Sequence, residues 1–74
     1  MLTTQDFTMR GDFITLGQFL KACDIISSGG AVKDFLSQNT ILVNDEVETR
    51  RGRKLRLGDS IQFADCVWQL VAAT

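Results

Sequence analysis

Residues 15–24, TLGQFLKACD, carry the strongest secondary-structure signal in the chain. Four apolar side chains recur at the i, i+3, i+4 and i+7 spacing that places them on one side of a helix: Leu16, Phe19, Leu20 and Cys23. Thr15 is a good helix N-cap, and Gln18 completes a capping box, in which each side chain satisfies the other residue's free backbone N–H. The segment predicts a first helix that ends near Asp24.

A second helix is predicted after the connector IISSGG at residues 25–30. Helical spacing resumes in four apolar residues: Ala31, Val32, Phe35 and Leu36. A serine of the connector suits the N-cap, and Asn39, which tolerates the left-handed conformation, marks the expected end. Two helices with so short a connection pack as a pair around a shared core.

From Thr40 onwards the apolar period changes to the period of two that is typical of β-strands. The dipeptide Asn44-Asp45 suits the positive dihedral angles of a tight hairpin turn. Around it, Ile41, Val43 and Val47 alternate with Leu42, Glu46 and Glu48. The pattern predicts a β-hairpin whose first set of side chains faces the core.

The predicted inward face continues after this hairpin. Leu55 and Leu57 alternate with charged neighbours, Gly58-Asp59 marks a turn, and Ile61 and Phe63 follow with the same period.

Two further strands complete the predicted sheet. Asp65-Cys66 turns the chain into a last strand over residues 67–71, and residues 5–10 predict an edge strand. Two short helices packed on a small antiparallel sheet make an α+β fold. With 74 residues, the chain is expected to form a single domain, and its 45% hydrophobic content predicts a dense core.

The charges of the chain are segregated along the sequence. Eight basic residues against nine acidic ones give a net charge of −1, an average that disfavours binding to nucleic acid. Five of the eight basic residues lie within residues 50–56, RRGRKLR, which we call the basic segment. The average therefore hides one strongly basic surface.

The basic segment is the part of the sequence that calls for a partner. A solvated charged loop is the simplest interpretation, but crowded positive charges repel one another unless an anion offsets them. Four of the five cations are arginines, whose planar guanidinium binds phosphate with two hydrogen bonds, and Gly52 allows a close approach of ligand to backbone. Glu46 and Glu48 are expected to weaken such a phosphate site without abolishing it.

Other residues are candidates to extend this site. Residues 27–30, SSGG, lead into the second helix, where free N–H groups hold a phosphate in some proteins and are ordinarily capped in others. Lys21 and Lys33 lie off the apolar sides of their helices and either face the same ligand or only aid solubility. Trp68 either stacks on a base or, as we favour, packs in the core.

Several classes of function are disfavoured by the composition. The chain has no histidine and no tyrosine, so a hydrolytic triad cannot be assembled, and we expect no enzyme activity and no small-molecule substrate. Cys23 and Cys66 lack the spacing of zinc or redox motifs and are expected to be buried thiols, with no metal and no cofactor. We find neither an export signal nor a membrane span and expect a cytoplasmic protein.

The residues together resemble the RNA-binding domain family named after ribosomal protein S-four. The resemblance covers about residues 15–64, and residues 47–55 look most like the short, stand-alone bacterial members. The motifs that carry it, in the order and spacing of the family, are LGQFL at 16–20, SGGAVKDFL at 28–36, ILVNDE at 41–46 and LGDSI at 57–61.

This resemblance implies an αL-type RNA-binding fold and a concave basic surface formed by the helix pair and the basic segment. Thr15 and Gly17 stand where many members carry Arg and Asp, and Gly29 stands where an Arg commonly follows the Ser, so more of the binding is expected from the basic segment. The predicted RNA-binding residues are Lys21, Ser28, Gly29, Gly30, Lys33, Arg50, Arg51, Gly52, Arg53, Lys54 and Arg56.

The sequence thus predicts a non-catalytic binding function: docking of a structured RNA of the ribosomal or transfer RNA class through phosphates and shape. The ribosome is a candidate partner, and a monomer is expected. The alternative is an adaptor whose basic segment binds an acidic protein surface.

Overall fold

The computed structural model describes residues 2–73. Seven strands and two short helices follow one another in this order: β1 (Thr3–Met9), β2 (Ile14–Thr15), α1 (Leu16–Ala22), a single 3₁₀ turn (Gly29–Ala31), α2 (Val32–Gln38), β3 (Leu42–Val43), β4 (Glu46–Val47), β5 (Lys54–Leu55), β6 (Ser60–Phe63) and β7 (Cys66–Ala72). The predicted α+β class is confirmed.

The strands form a five-stranded sheet in the order β1-β7-β6-β3-β4 and a two-stranded ribbon of β2 and β5. Most neighbours are antiparallel, as the sequence predicts, but β1 runs parallel to β7 in the register Thr3 to Cys66 through Met9 to Ala72. The sheet is therefore mixed. A parallel pair needs a long crossover, and here nearly the whole chain between the two strands supplies it.

Helix α1 begins as the capping box predicts. The Gln18 N–H donates to Thr15 Oγ1 at 3.2 Å, and the Thr15 N–H donates to Gln18 Oε1 at 3.0 Å. The helix ends at Ala22, slightly earlier than predicted, because the chain turns at Asp24, which has a positive φ of 58°.

Helix α2 ends at Gln38, beside Asn39 as predicted, but the predicted caps at both of its ends need correction. The 3₁₀ turn precedes the helix, and the Ser28 side chain makes no capping hydrogen bond to any residue from Leu2 to Ala73. Asn39 is extended, with φ −133°, rather than left-handed. The chain passes straight from Asn39 towards β3, and the Asn39 side-chain amide satisfies the helix end by donating to the Phe35 carbonyl at 3.0 Å.

The β3–β4 hairpin has the predicted two-residue turn, with φ 52° at Asn44 and 68° at Asp45. Its register continues to Glu48, whose N–H donates to the Ile41 carbonyl at 2.9 Å. Since residues opposite each other share one face, Glu48 lies on the buried side with Ile41.

Two inward assignments are therefore wrong. Val47 is 65% exposed because it lies on the opposite face of the hairpin from Glu48, and Leu57 is 52% exposed because the chain leaves the short strand β5 and turns at Gly58, which has φ +90°.

The core lies between α1 and the five-stranded sheet. Its largest fully buried side chain is Phe19, which packs edge-on against Phe7 at 5.1 Å and Trp68 at 5.8 Å between ring centroids. Trp68 thus packs against the core, as favoured. Cys23 and Cys66 are free thiols that are half-buried rather than fully buried, and burial raises the pKa of Cys23. The turn before β7 is formed by residues 64–65, so Cys66 already belongs to the strand.

Neither helix within residues 2–73 is long and apolar enough to cross a membrane.

Candidate nucleic-acid interface

The basic segment is fastened to the start of α1 through its own backbone. The Leu16 N–H donates to the Arg53 carbonyl and the Gly17 N–H to the Arg51 carbonyl, both at 2.9 Å. Thr15 also pairs with Lys54 in the β2–β5 ribbon. The first N–H groups of α1 are therefore occupied by the basic segment, which holds its side chains at a defined place beside the helix.

Gly17 lies where α1, α2 and the basic segment meet. A Cβ at this position would lie 3.5 Å from the Arg51 carbonyl oxygen and 3.5 Å from the Val32 methyl groups. A methyl group at this position would be in ordinary van der Waals contact with these neighbours. The departure at Gly17 thus falls at a close junction of three segments.

Glu48 is buried, with 7% of its surface exposed, and it organises the basic segment from inside. Its Oε2 accepts the backbone N–H of Thr49 at 3.0 Å and, from Arg50, the backbone N–H at 3.0 Å and Nε–H at 3.1 Å. Its Oε1 accepts from Arg50 Nη2 at 3.0 Å and Arg53 Nη1 at 2.8 Å. The hydrogen bonds from Arg50, with that from Arg53, lower the pKa of Glu48 to about 2.

This ion-pair cluster changes the expected charge balance of the basic segment. The anion that offsets the crowding of Arg50 and Arg53 is Glu48 of the same chain. The expectation that Glu48 only weakens a phosphate site is therefore incomplete, because the carboxylate also fixes the conformation of the segment. Sequence reasoning missed this role. The signal for it was the two-residue hairpin turn, because its register places Glu48 opposite Ile41 and therefore on the buried face.

Three cations of the basic segment form no salt bridge with any residue that the structure describes: Arg51, Lys54 and Arg56. All three are exposed. These side chains are the ones whose charge is available to an external anion.

Arg51 lies where the two helices and the basic segment meet. It lines a cleft of about 400 Å³ together with Lys21, Gly29 and Gly52, and a second cleft of about 490 Å³ that contains Lys33. The structure thus gathers both helical lysines around Arg51.

The remaining predicted residues line a different cleft or none. A third cleft, of about 430 Å³, is lined by Arg50, Gly52, Arg53 and Lys54. Ser28, Gly30 and Arg56 line none of these three clefts. The predicted set is consequently split into a group around Arg51, a group around Gly52 and three peripheral residues.

The glycines at this surface are not required by the backbone. Gly29, Gly30 and Gly52 have no positive φ, and a Cβ at each would meet nothing within 4 Å among the described residues. By contrast, Gly58 and Gly11 do have positive φ values. The first three glycines therefore leave open space where a ligand can approach the main chain.

A known protein family matches most of this chain. The S4 domain model matches residues 7–71. The chain belongs to the S4 domain family. S4 domains bind RNA, so the family gives this chain an RNA-binding function. The resemblance found in the sequence is confirmed.

A curated relative of this S4 domain is a Bacillus subtilis (strain 168) protein named "Probable ribosome maturation protein RlbA". It is 59% identical over 52 residues, which cover 70% of this chain and 73% of the relative. The similarity thus extends over most of both chains.

Proposed function

We propose that this S4 domain acts without catalysis and docks a structured RNA of the ribosomal or transfer RNA class through phosphates and shape. The observation that carries the proposal is the position of Arg51, an exposed cation whose backbone is held against α1 and which lines one cleft with Lys21 and another with Lys33. The relative named for ribosome maturation favours ribosomal RNA.

The internal ion pairs favour phosphate binding by the remaining cations. Because Glu48 already orders Arg50 and Arg53, the segment loses less conformational entropy when it binds. Arg51 and Lys54 then meet the phosphates as exposed charges, and Gly29 and Gly52 leave room for the RNA backbone. This combination suits recognition of shape and phosphates, which is common for structured RNA.

The net negative charge does not oppose this role. The molecule measures 34 × 29 × 20 Å, whereas charges in physiological salt are screened beyond about 8 Å. Carboxylates on distant faces therefore have little effect on phosphates bound near Arg51.

The absence of histidine and tyrosine from the sequence supports a role without catalysis. Within residues 2–73, no three Cys, Asp or Glu side chains lie close enough together to hold a metal ion.

The decisive experiment compares two variants of equal net charge. Arg51→Gln/Lys54→Gln removes two exposed cations, while Thr4→Glu/Gln5→Glu adds two carboxylates on the exposed edge strand β1. Arg53 is left unchanged because it is bonded to Glu48. Affinity for purified ribosomal RNA, transfer RNA and duplex DNA is measured by filter binding between roughly 50 and 200 mM KCl.

For about four phosphate contacts, the logarithm of the RNA association constant should fall with log[KCl] with a slope near −3 to −4, and removal of two cations should reduce this slope by about 1.5. The β1 control should keep the wild-type slope. No RNA binding by the wild type, or the same loss in both variants, would refute the proposal.

An acidic protein partner is a separate outcome of this experiment. If the wild type binds a polyglutamate peptide more tightly than any of the nucleic acids, the adaptor interpretation replaces RNA docking.

A further inference from the structure

Phe13 is an exposed aromatic side chain at the border of the basic segment. It lies in the turn between β1 and β2, two residues after Gly11, whose φ is +84°, and 41% of its surface is exposed. The predicted RNA-binding residues do not include it.

Two cations of the basic segment lie against this ring. Lys54 Nζ is 4.9 Å and Arg56 Cζ is 5.8 Å from the ring centroid, both within the range of a cation–π interaction. Lys54 also lines the cleft that contains Gly52. The surface around Phe13 is therefore continuous with the basic segment.

Phe13 also borders a separate cleft of about 440 Å³. Its walls are partly apolar, from Phe7, Met9 and Ile14, and its polar groups come from Thr8, Arg10 and Gln18. Neither Lys54 nor Arg56 lines this cleft, so Phe13 lies between the two cations of the basic segment and a cleft that they leave open. Its volume lies within the range of about 300–1,000 Å³ that small ligands occupy.

The chemistry of this site matches one unpaired nucleotide. An aromatic ring beside apolar walls suits the flat face of a base, and Arg10, Lys54 and Arg56 supply positive charge for the adjoining phosphates. Asp12 is the carboxylate in the turn itself, so the cations outnumber it. A base within a duplex is already stacked on its neighbours, whereas the base of a single-stranded extension or bulge exposes its face.

We propose that Phe13 and the adjoining cleft bind an unpaired base of the RNA that docks on the basic segment. This proposal rests on the proposed function and extends it: the RNA has a helical part, which contacts Arg51 and the helical lysines, and a single-stranded nucleotide, which stacks on Phe13.

The test uses three RNAs with one common hairpin stem: a blunt stem, the stem with a short single-stranded extension, and the stem with the same extension made of abasic nucleotides. The abasic extension keeps the phosphates and removes the bases. Binding is measured for the wild type, for Phe13→Leu, which keeps an apolar side chain without an aromatic face, and for Leu2→Ala, a control that shortens another exposed apolar side chain.

For the wild type and Leu2→Ala, the normal extension should strengthen binding about fivefold or more, as stacking on an aromatic ring does. The abasic extension should lack that gain, and Phe13→Leu should lose it while binding the blunt stem with wild-type affinity. The abasic comparison in the wild type tests stacking without any mutation.

The outcomes separate the two proposals. If the wild type binds none of the three RNAs, RNA docking itself is refuted. If it binds the blunt stem but gains nothing from bases in the extension, or if Phe13→Leu keeps the whole gain, the Phe13 site alone is refuted.

Discussion

Replacing Glu48 by glutamine should destabilise the protein, because this buried carboxylate accepts five hydrogen bonds from Thr49, Arg50 and Arg53. Glutamine has nearly the same size but carries no charge, and it presents an N–H₂ group to arginine donors. The variant therefore removes the charge interaction with little change in packing.

The size of the effect follows from the pKa of Glu48. The folded protein lowers this pKa to about 2 from an ordinary value of 4.5. Such a difference corresponds to at most about 3.5 kcal/mol, since each pKa unit is worth about 1.4 kcal/mol. The Arg50 side chain is 73% exposed, so water screens part of the interaction, and we expect about 1–2 kcal/mol at neutral pH.

The same pKa sets the pH dependence of stability. Because the folded pKa lies below the unfolded one, the stabilisation is fully present above about pH 5 and is lost as the pH falls from there towards the folded pKa, about 2. The difference in unfolding free energy between wild type and Glu48→Gln should therefore shrink at acid pH. Urea unfolding at pH 7 and near pH 2.5 measures this difference.

Glu46→Gln is the matched control. Glu46 is an exposed neighbour on β4 and forms no salt bridge within the described residues, so its variant should unfold within about 0.5 kcal/mol of wild type at both pH values. A difference in unfolding free energy between wild type and Glu48→Gln that stays constant with pH would contradict the role given to the Glu48 charge, as would an equal loss of stability in Glu46→Gln.

Two further substitutions test the helix entrance and the hairpin. Gly29→Glu should leave the unfolding free energy within about 0.5 kcal/mol of wild type, since a Cβ at this position meets open space. The same variant should weaken RNA binding roughly fivefold, because its carboxylate repels the phosphates. Gly29→Gln separates the effect of charge from that of size, and unchanged affinity of Gly29→Glu would exclude this turn from the interface. Asn44→Ala should lower the unfolding free energy in urea by about 1–3 kcal/mol, because it strains the positive φ and removes hydrogen bonds to Asp59 and the Ser60 N–H. Asn44→Gly, which tolerates this φ, should lose less, and equal stability of all three proteins would contradict the argument.

Features that depend on neighbours in sequence were predictable. The Thr15–Gln18 capping box needs only residues three apart, and the Asn44-Asp45 turn needs only two residues that tolerate positive φ. The clustering of arginines in the basic segment is likewise visible in the sequence. Each of these features arises from local sterics, local hydrogen bonds or composition.

Predictions of which side chains are buried failed where the chain changes direction. The alternation of apolar residues placed Val47 and Leu57 inside, yet both are exposed, because the hairpin register and the turn at Gly58 decide which face each residue takes. The parallel direction of β1 beside β7 could not be predicted either, since it depends on how the long connection between the two strands packs.

The α+β class and the basic segment could be read from the sequence, because periodicity, turn residues and charge clustering are properties of neighbouring residues, and the family followed from the resemblance of its motifs. Tertiary packing was needed to show that Glu48 holds Arg50 and Arg53, that Arg51 shares clefts with Lys21 and Lys33, and that Phe13 meets Lys54 and Arg56. Charges and aromatic rings act over a few ångströms, and those distances exist only once register and packing bring remote residues together.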